Sequence, residues 1–319
     1  MAKLSKLPLA EARPLLERFG IRLLSIEPLE AGSVNSNFEL RDEAQNRFFA
    51  RIYEEQGRRG AEAELRLLGE LSRAGVPTVV PLHSAEGVTF AELGDKVFAV
   101  FPWVEGAILC QRAVTPNACR CLGAALARLH QATSAVTPLG EGRFRVVDML
   151  KRLDAVGSAE SVELRRAADS MREKALRHSG RRLEGLPQGV VHGDLFRDNV
   201  LWRGDAIAAL LDFESASFGP FVYDLAVTIL AWCYGAAFEP ELLTALLDGY
   251  QSERPLSDQE LEAFDAEAAL ACVRFATTRI TDFSLRAPPG QPPARDYRRF
   301  LHRLRAVEAG ALRPFLCKS

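Results

Sequence analysis

The sequence predicts an α+β protein in two parts. A small antiparallel β-rich part spans residues 1–103, and a larger, mainly helical part spans 104–319. Three observations predict it. Short segments with alternating apolar residues recur up to Pro102. From Thr115 onwards, long stretches carry apolar residues at helical spacing. One run, VVHGDLFRDNVLW followed by ALLDFESAS, interrupts those helical patterns.

Each element follows from local pattern. IRLLSIEPL (21–29), SNFELRD (36–42) and RFFARIY (47–53) read as strands, the second and third with clear alternation. AEAELRLLGELSRAG (61–75) has helical spacing, with Gly75 and Pro77 as stop signals. VTFAEL and KVFAVFPWV flank Gly94-Asp95 as a hairpin. FPWVEG (101–106) is the linker. TPNACRCLGAALARLHQA, DMLKRLDAV and SVELRRAADSMREKALRH then read as helices. NVLW (199–202) and AIAALLDF (206–213) read as a short hairpin whose second strand ends at Asp212. Further helices are expected near 222–235, 239–251, 257–286 and 294–309.

Composition bounds the function. The 319 residues suffice for a substantial core. Hydrophobic content of 48% and charged content of 26% are globular values. A formal net charge of −2 gives no bulk attraction to nucleic acid or membrane, so neither is expected as a partner. No apolar run approaches the roughly 20 residues that span a bilayer. The N-terminal MAKLSKLPLAEARPLLERFG lacks a continuous apolar stretch, so no secretory leader is expected and the cytoplasm is the expected compartment. Cysteines at 110, 119, 121, 233, 272 and 317 are scattered, which reads as free thiols.

The interrupting run carries the chemistry. His192, Asp194 and Asn199 stand at H-x-D-x-x-x-x-N spacing, and Asp212 follows an apolar run. Phosphoryl transfer needs these parts: a carboxylate for the attacking hydroxyl, an amide oxygen for a metal, and a carboxylate for metals bridging ATP phosphates. Asp194 fits the first role, with Asn199 and Asp212 as Mg²⁺ ligands through hard oxygens. His192 reads as structural. Between the first strands, Gly32 and Ser33 are able to turn backbone amides toward a phosphate, or form a plain turn. Arg51 stands where a kinase places its phosphate-binding lysine, with Glu64 (or Glu62) as its ion-pair partner. An ordinary surface pair is the alternative.

VHGDLFRDNVLW…LLDFESASFGPFVYDLA resembles the aminoglycoside phosphotransferase and choline kinase family, which implies a bilobal protein-kinase-like fold. LGAALARLHQ resembles that family's preceding helix. Within it, the chain is most similar to type II homoserine kinases. The shared features are a G-x-x-N-x-N-F loop from Gly32 to Phe38, YDLA followed by AWC, GYQSERPLS, and RF-x-x-x-R-x-x-D from Arg274 to Asp282. The likeness covers roughly residues 25–305. It implies an ATP- and Mg²⁺-dependent transfer to a small-molecule alcohol, best matched by L-homoserine in threonine biosynthesis. It also implies nucleotide binding by residues 1–103, with Asn35 and Asn37 of the loop taking part, and acceptor binding by 104–319. Two departures matter. Arg51 replaces a lysine, and FESASFGP is closer to sugar and aminoglycoside kinases. Other acceptors (aminoglycoside, choline, sugar, protein serine or threonine) therefore stay open, as does a nucleotide-binding pseudokinase.

Further residues have two readings each. Asp224 either anchors the catalytic loop near His192 or is a charge at a helix start. Trp232 either lines the acceptor pocket or packs in a core. Arg274, Arg279 and Asp282 either recognise an amino acid, arginine for carboxylate and aspartate for ammonium, or form a surface pair between 279 and 282.

Overall fold

A computed structural model describes residues 5–29, 34–142, 144–157, 161–288 and 291–316. The chain divides into two compact units: Met1–Ala107 with Ala135–Thr137 and Ala208–Glu214, and the remainder.

The first unit is built on a five-stranded antiparallel sheet. Helix α1 (Leu9–Glu17) precedes β1 (Leu23–Leu29), β2 (Ser36–Asp42) and β3 (Arg47–Tyr53); helix α2 (Arg58–Arg73), β4 (Ala91–Leu93) and β5 (Lys96–Pro102) follow. The strand order is β1-β2-β3-β5-β4. Alternation decides which side chains enter the core: Phe38 and Leu40 from β2, Ala50 and Ile52 from β3, Phe98 and Val100 from β5. Helix α1 was not expected. Ala12 and Leu16, one turn apart, are fully buried against the same core, although Pro14 lies inside the helix. Proline there removes one helical amide bond, and the burial of Ala12 and Leu16 holds the helix in spite of it. Helix α2 buries Ala61, Leu65, Leu68 and Leu71 at helical spacing, and Glu64 with them.

The second unit is mainly helical. Helices α3 (Pro116–Gln131), α4 (Val146–Asp154) and α5 (Val162–Ser179) lead to strand β6 (Gln188–Val191). Thr115 and Ser161 cap α3 and α5 by accepting from Ala118 N and Leu164 N. Strands β7 (Val200–Arg203) and β8 (Ala206–Leu210) pair as expected. The second strand, however, stops at Leu210, two residues before Asp212. Strand β9 (Ser217–Pro220) pairs antiparallel with β6, a pairing absent from the sequence expectation. Helices α6 (Phe221–Trp232), α7 (Pro240–Glu253), α8 (Asp258–Arg279), α9 (Arg298–Glu308) and the short α10 (Arg313–Leu316) complete the unit. The long helix expected over 257–286 changes to π geometry at Ile280–Ser284. Ser257 and Glu260 form a reciprocal capping box at its start.

Glycines set the α3–α7 crossing. A Cβ at Gly249 would lie 2.7 Å from the Arg120 carbonyl carbon and overlap its oxygen. A Cβ at Gly123 would lie 2.8 Å from Tyr250 N. The two backbones touch, and this close approach carries Tyr250 toward the far end of α3. No helix among the described residues is long and apolar enough to cross a membrane.

Candidate active site

In the first unit, β3 and α2 bring Arg51 and Glu64 together. The register pairs Asn37 of β2 with Arg51 of β3. Arg51 Nε donates to Asn37 Oδ1 at 3.2 Å, and its Nη1 donates to Asp212 Oδ1 at 3.3 Å. The same Nη1 lies 3.6 Å from Glu64 Oε1. Glu64, rather than Glu62, is therefore the ion-pair partner; Glu62 pairs with Arg58 on the helix surface. Burial pushes the Glu64 carboxyl up to about 7; Arg51 opposes this, and the Asp212 and Glu214 charges add to it. Tyr53 donates its hydroxyl to Glu64 at 3.4 Å. Burial disfavours the Arg51 cation, but Asp212 and Glu64 outweigh it and hold the guanidinium firmly charged.

Asp212 has φ 61°, the left-handed region. Aspartate tolerates it better than most residues, and such backbone strain concentrates at functional positions. Its side chain is 38% exposed, so it can meet a ligand. Asn35 donates to Glu214 at 3.1 Å and accepts from Glu54 N at 3.1 Å. The Asn35 side chain thus ties the start of β2 to Glu54 and Glu214, and that of Asn37 holds Arg51. Gly32 and Ser33 lie outside the described residues.

In the second unit, β6 ends in the His192-Gly193-Asp194 loop. Gly193 has φ +74°, and a Cβ there would press within 3.0 Å of Ser215 O. Asp224, at the start of α6, accepts from His192 N and Gly193 N at 2.7 Å each. It is fully buried. Burial alone would raise its carboxyl; the hydrogen bonds from His130 and the Gly193 amide more than offset this and hold it below the ordinary carboxylate value. Asp224 is thus a loop anchor as well as a helix-start charge. His192 is buried, and its Nδ1 accepts from Asp194 N at 3.2 Å. Asn199 Nδ2 donates to Asp194 O at 2.8 Å, leaving its amide oxygen as the ligand-type end. Arg274, 3% exposed, donates to Gly193 O and lies 4.0 Å from Asp194 Oδ1. Asp194 itself is 31% exposed at the side chain.

Beside the loop, a cavity of about 120 Å³ is lined by Gly193, Arg274, Tyr223, Arg182, Phe144 and Met149, among others. Arg182 is committed to Glu267 through two bonds of 2.7 and 2.8 Å. Arg274 stacks at 4.0 Å on Phe144, and its Nε has no hydrogen-bond partner among the described residues.

Three expected acceptor residues are not brought to this cavity. Trp232 is fully buried and donates to Leu195 O at 2.9 Å, so it packs in the core and holds the loop from beneath. Arg279 donates to Asp296 O at 3.0 Å and stacks on Phe300. Asp282 meets Arg152 at 2.9 Å. The surface pair between Arg279 and Asp282 is not formed either, because the π turn begins between them and Asp282 faces α4. Residues that the sequence left unremarked include Tyr53, Glu214 and Tyr223, together with His130, whose Nε2 contacts Asp224 at 3.1 Å. The run LARLH was the available signal for His130.

Among the described residues, no three His, Cys, Asp or Glu side chains are grouped to hold a metal unaided. The donor chemistry still fits Mg²⁺ with a nucleotide. Mg²⁺ is usually bound by one or two carboxylates, with substrate phosphates and water completing its six oxygens. Asp212 in the first unit and Asn199 in the second are each donors of that kind.

The comparisons agree with this chemistry. The Phosphotransferase enzyme family model matches residues 25–256. A homoserine kinase of Methylorubrum populi is 34% identical over 294 residues, 87% of each chain. One of Parvibaculum lavamentivorans is 30% identical over 312 residues, 96% of this chain and 95% of its own. Among solved structures, amicoumacin kinase in complex with AMP-PNP, Ca²⁺ and Ami has a TM-score of 0.74 at 18% identity, covering 95% of this chain and 92% of its own. A microcompartment-associated aminopropanol kinase has a TM-score of 0.66 at 17% identity, covering 97% and 99%. These neighbours share the expected two-part α+β, protein-kinase-like fold. The catalytic-loop motif, the fold and a family match across most of the chain converge on one conclusion: the chain belongs to the phosphotransferase enzyme family and is a kinase acting on an alcohol group.

Proposed function

We propose that this kinase transfers the γ-phosphate of ATP to the side-chain hydroxyl of L-homoserine, with Mg²⁺ as its metal, in the cytoplasm. The observation that carries the acceptor is the small cavity at Gly193, the residue before Asp194, walled by the buried Arg274. At about 120 Å³ it is well below the roughly 300–1,000 Å³ typical of drug-sized ligands. That suits a free amino acid better than an aminoglycoside. A guanidinium in its wall suits an α-carboxylate. The relatives named homoserine kinases support the same reading.

In this reading, Asp194 accepts the proton of the attacking hydroxyl. The backbone around it is clamped by Asp224, Asn199, Arg274 and the His192 ring, so the carboxylate is aimed without cost at the moment of reaction. Arg51 presents a fixed cation to the nucleotide phosphates. Asn37 and Glu64 orient it. Asp212 and Asn199 would hold Mg²⁺, which when bound would neutralise phosphate charge. Roles for Asn35, Gly32 and Ser33 in nucleotide binding belong to the same proposal.

The test is ADP release from Mg-ATP with a panel of homoserine, choline, an aminoglycoside, a sugar and a protein substrate. Homoserine should give the highest kcat/KM. Turnover of another alcohol with none of homoserine would overturn the acceptor and leave the kinase standing.

A further inference from the structure

Behind the catalytic loop, polar contacts continue from Asp224 into α3, α7 and α8. Arg254 Nη1 donates to Tyr250 Oη at 3.1 Å. Tyr250 Oη meets His130 Nδ1 at 2.7 Å. His130 Nε2 meets Asp224 Oδ2 at 3.1 Å, and Asp224 takes the two loop amides. Arg254 is itself held by Glu260 at 2.9 Å. His130, Tyr250, Asp224 and Glu260 are all buried.

The chemistry of the end groups gives every link a direction. A guanidinium only donates. An ionised carboxylate only accepts, so the imidazole proton sits on Nε2, facing Asp224. Burial disfavours the imidazolium, so Nδ1 is bare and accepts the proton of Tyr250, whose oxygen accepts from Arg254. His130 is stacked on Phe221 at 4.5 Å, which fixes the ring plane.

We infer that Tyr250 is a positioning residue for phosphoryl transfer: backed by Arg254, it locks His130 as the neutral Nε2–H tautomer, which steadies Asp224 and the loop amides that aim Asp194. The inference rests on Asp194 being the base. The lock itself is independent of which alcohol is phosphorylated. Tyr250 reaches His130 because Gly123 and Gly249 let α3 and α7 touch. Without the hydroxyl, Nδ1 loses its donor, and only the Asp224 carboxylate still holds the proton on Nε2, so the lock on the tautomer is weaker.

Tyr250→Phe keeps the ring packing and removes only the hydroxyl. With Mg-ATP and homoserine, or the alcohol identified by the acceptor panel, kcat should fall roughly ten- to a hundredfold while KM for ATP holds. NMR of protein carrying ¹⁵N-labelled histidine should show wild-type His130 protonated on Nε2, and Tyr250→Phe with population on Nδ1. His130→Gln can donate to Asp224 and accept from Tyr250, so it should retain more turnover than His130→Leu. Protonation of Nδ1 in the wild type, or wild-type kcat in Tyr250→Phe, would overturn the inference. If Asp194→Asn keeps full turnover, the base assignment fails, and the NMR result still decides the tautomer lock.

Discussion

Replacing Asp224 by asparagine should cost both stability and turnover. The carboxylate serves three donors: His192 N and His130 Nε2 on one oxygen, Gly193 N on the other. Asparagine has one acceptor oxygen, so its NH₂ group must face one set of donors. One charge-assisted hydrogen bond is lost, and a buried amide is left without an acceptor. Together these cost roughly 3–6 kcal/mol, a large share of the roughly 5–15 kcal/mol typical of a domain. The pH dependence follows from the depressed carboxyl of Asp224. A depressed acid adds stability that is fully present above its unfolded value, about 3.9, and is lost as pH falls through the folded value. The wild-type advantage in urea unfolding should therefore be constant above about pH 4 and shrink below it. Turnover should fall with the loop's loss of order, while KM for ATP holds. A stability loss under about 1 kcal/mol with wild-type kcat would refute the anchoring role.

Two further substitutions probe the scaffold. Glu64, raised from 4.5 to about 7 by burial, makes its stabilising contribution below pH 4.5 and loses it as pH rises through about 7. Glu64→Gln should therefore match the wild type in urea unfolding at acid pH and become the more stable protein above pH 7, by roughly 3 kcal/mol; a difference that does not change with pH would count against the buried-acid reading. Gly249→Ala forces a methyl into the Arg120 backbone, which no rotamer change relieves. It should destabilise by about 3 kcal/mol and lower kcat through Tyr250, and an unchanged Tm would show that α3 and α7 yield easily.

Much of the fold was legible because its signals are local. Alternation in 36–42 and 47–53 marked strands whose buried residues are Phe38, Leu40, Ala50 and Ile52. Helix α1 was hidden by Pro14 and by its short length. The β6–β9 pair was hidden because each strand has four residues and the two are far apart in sequence. The candidate catalytic run stood out because His192, Asp194 and Asn199 share one short stretch of sequence. Its supports were not. Arg274 reaches Gly193 across 81 residues and Tyr250 reaches His130 across 120, separations that local spacing does not encode. The alternative pair between Arg279 and Asp282 does not form for a local reason: the π turn begins between them, and Asp282 meets Arg152.

The central claim is that Asp194 is the general base for phosphoryl transfer to homoserine. Asp194→Asn keeps the size of the side chain and removes the charge. Turnover of homoserine by the purified variant, set against its ATP affinity by calorimetry, tests that most directly. The account predicts a fall in kcat of roughly 10²–10⁴ with ATP affinity unchanged. Near-normal turnover of homoserine by Asp194→Asn would contradict it.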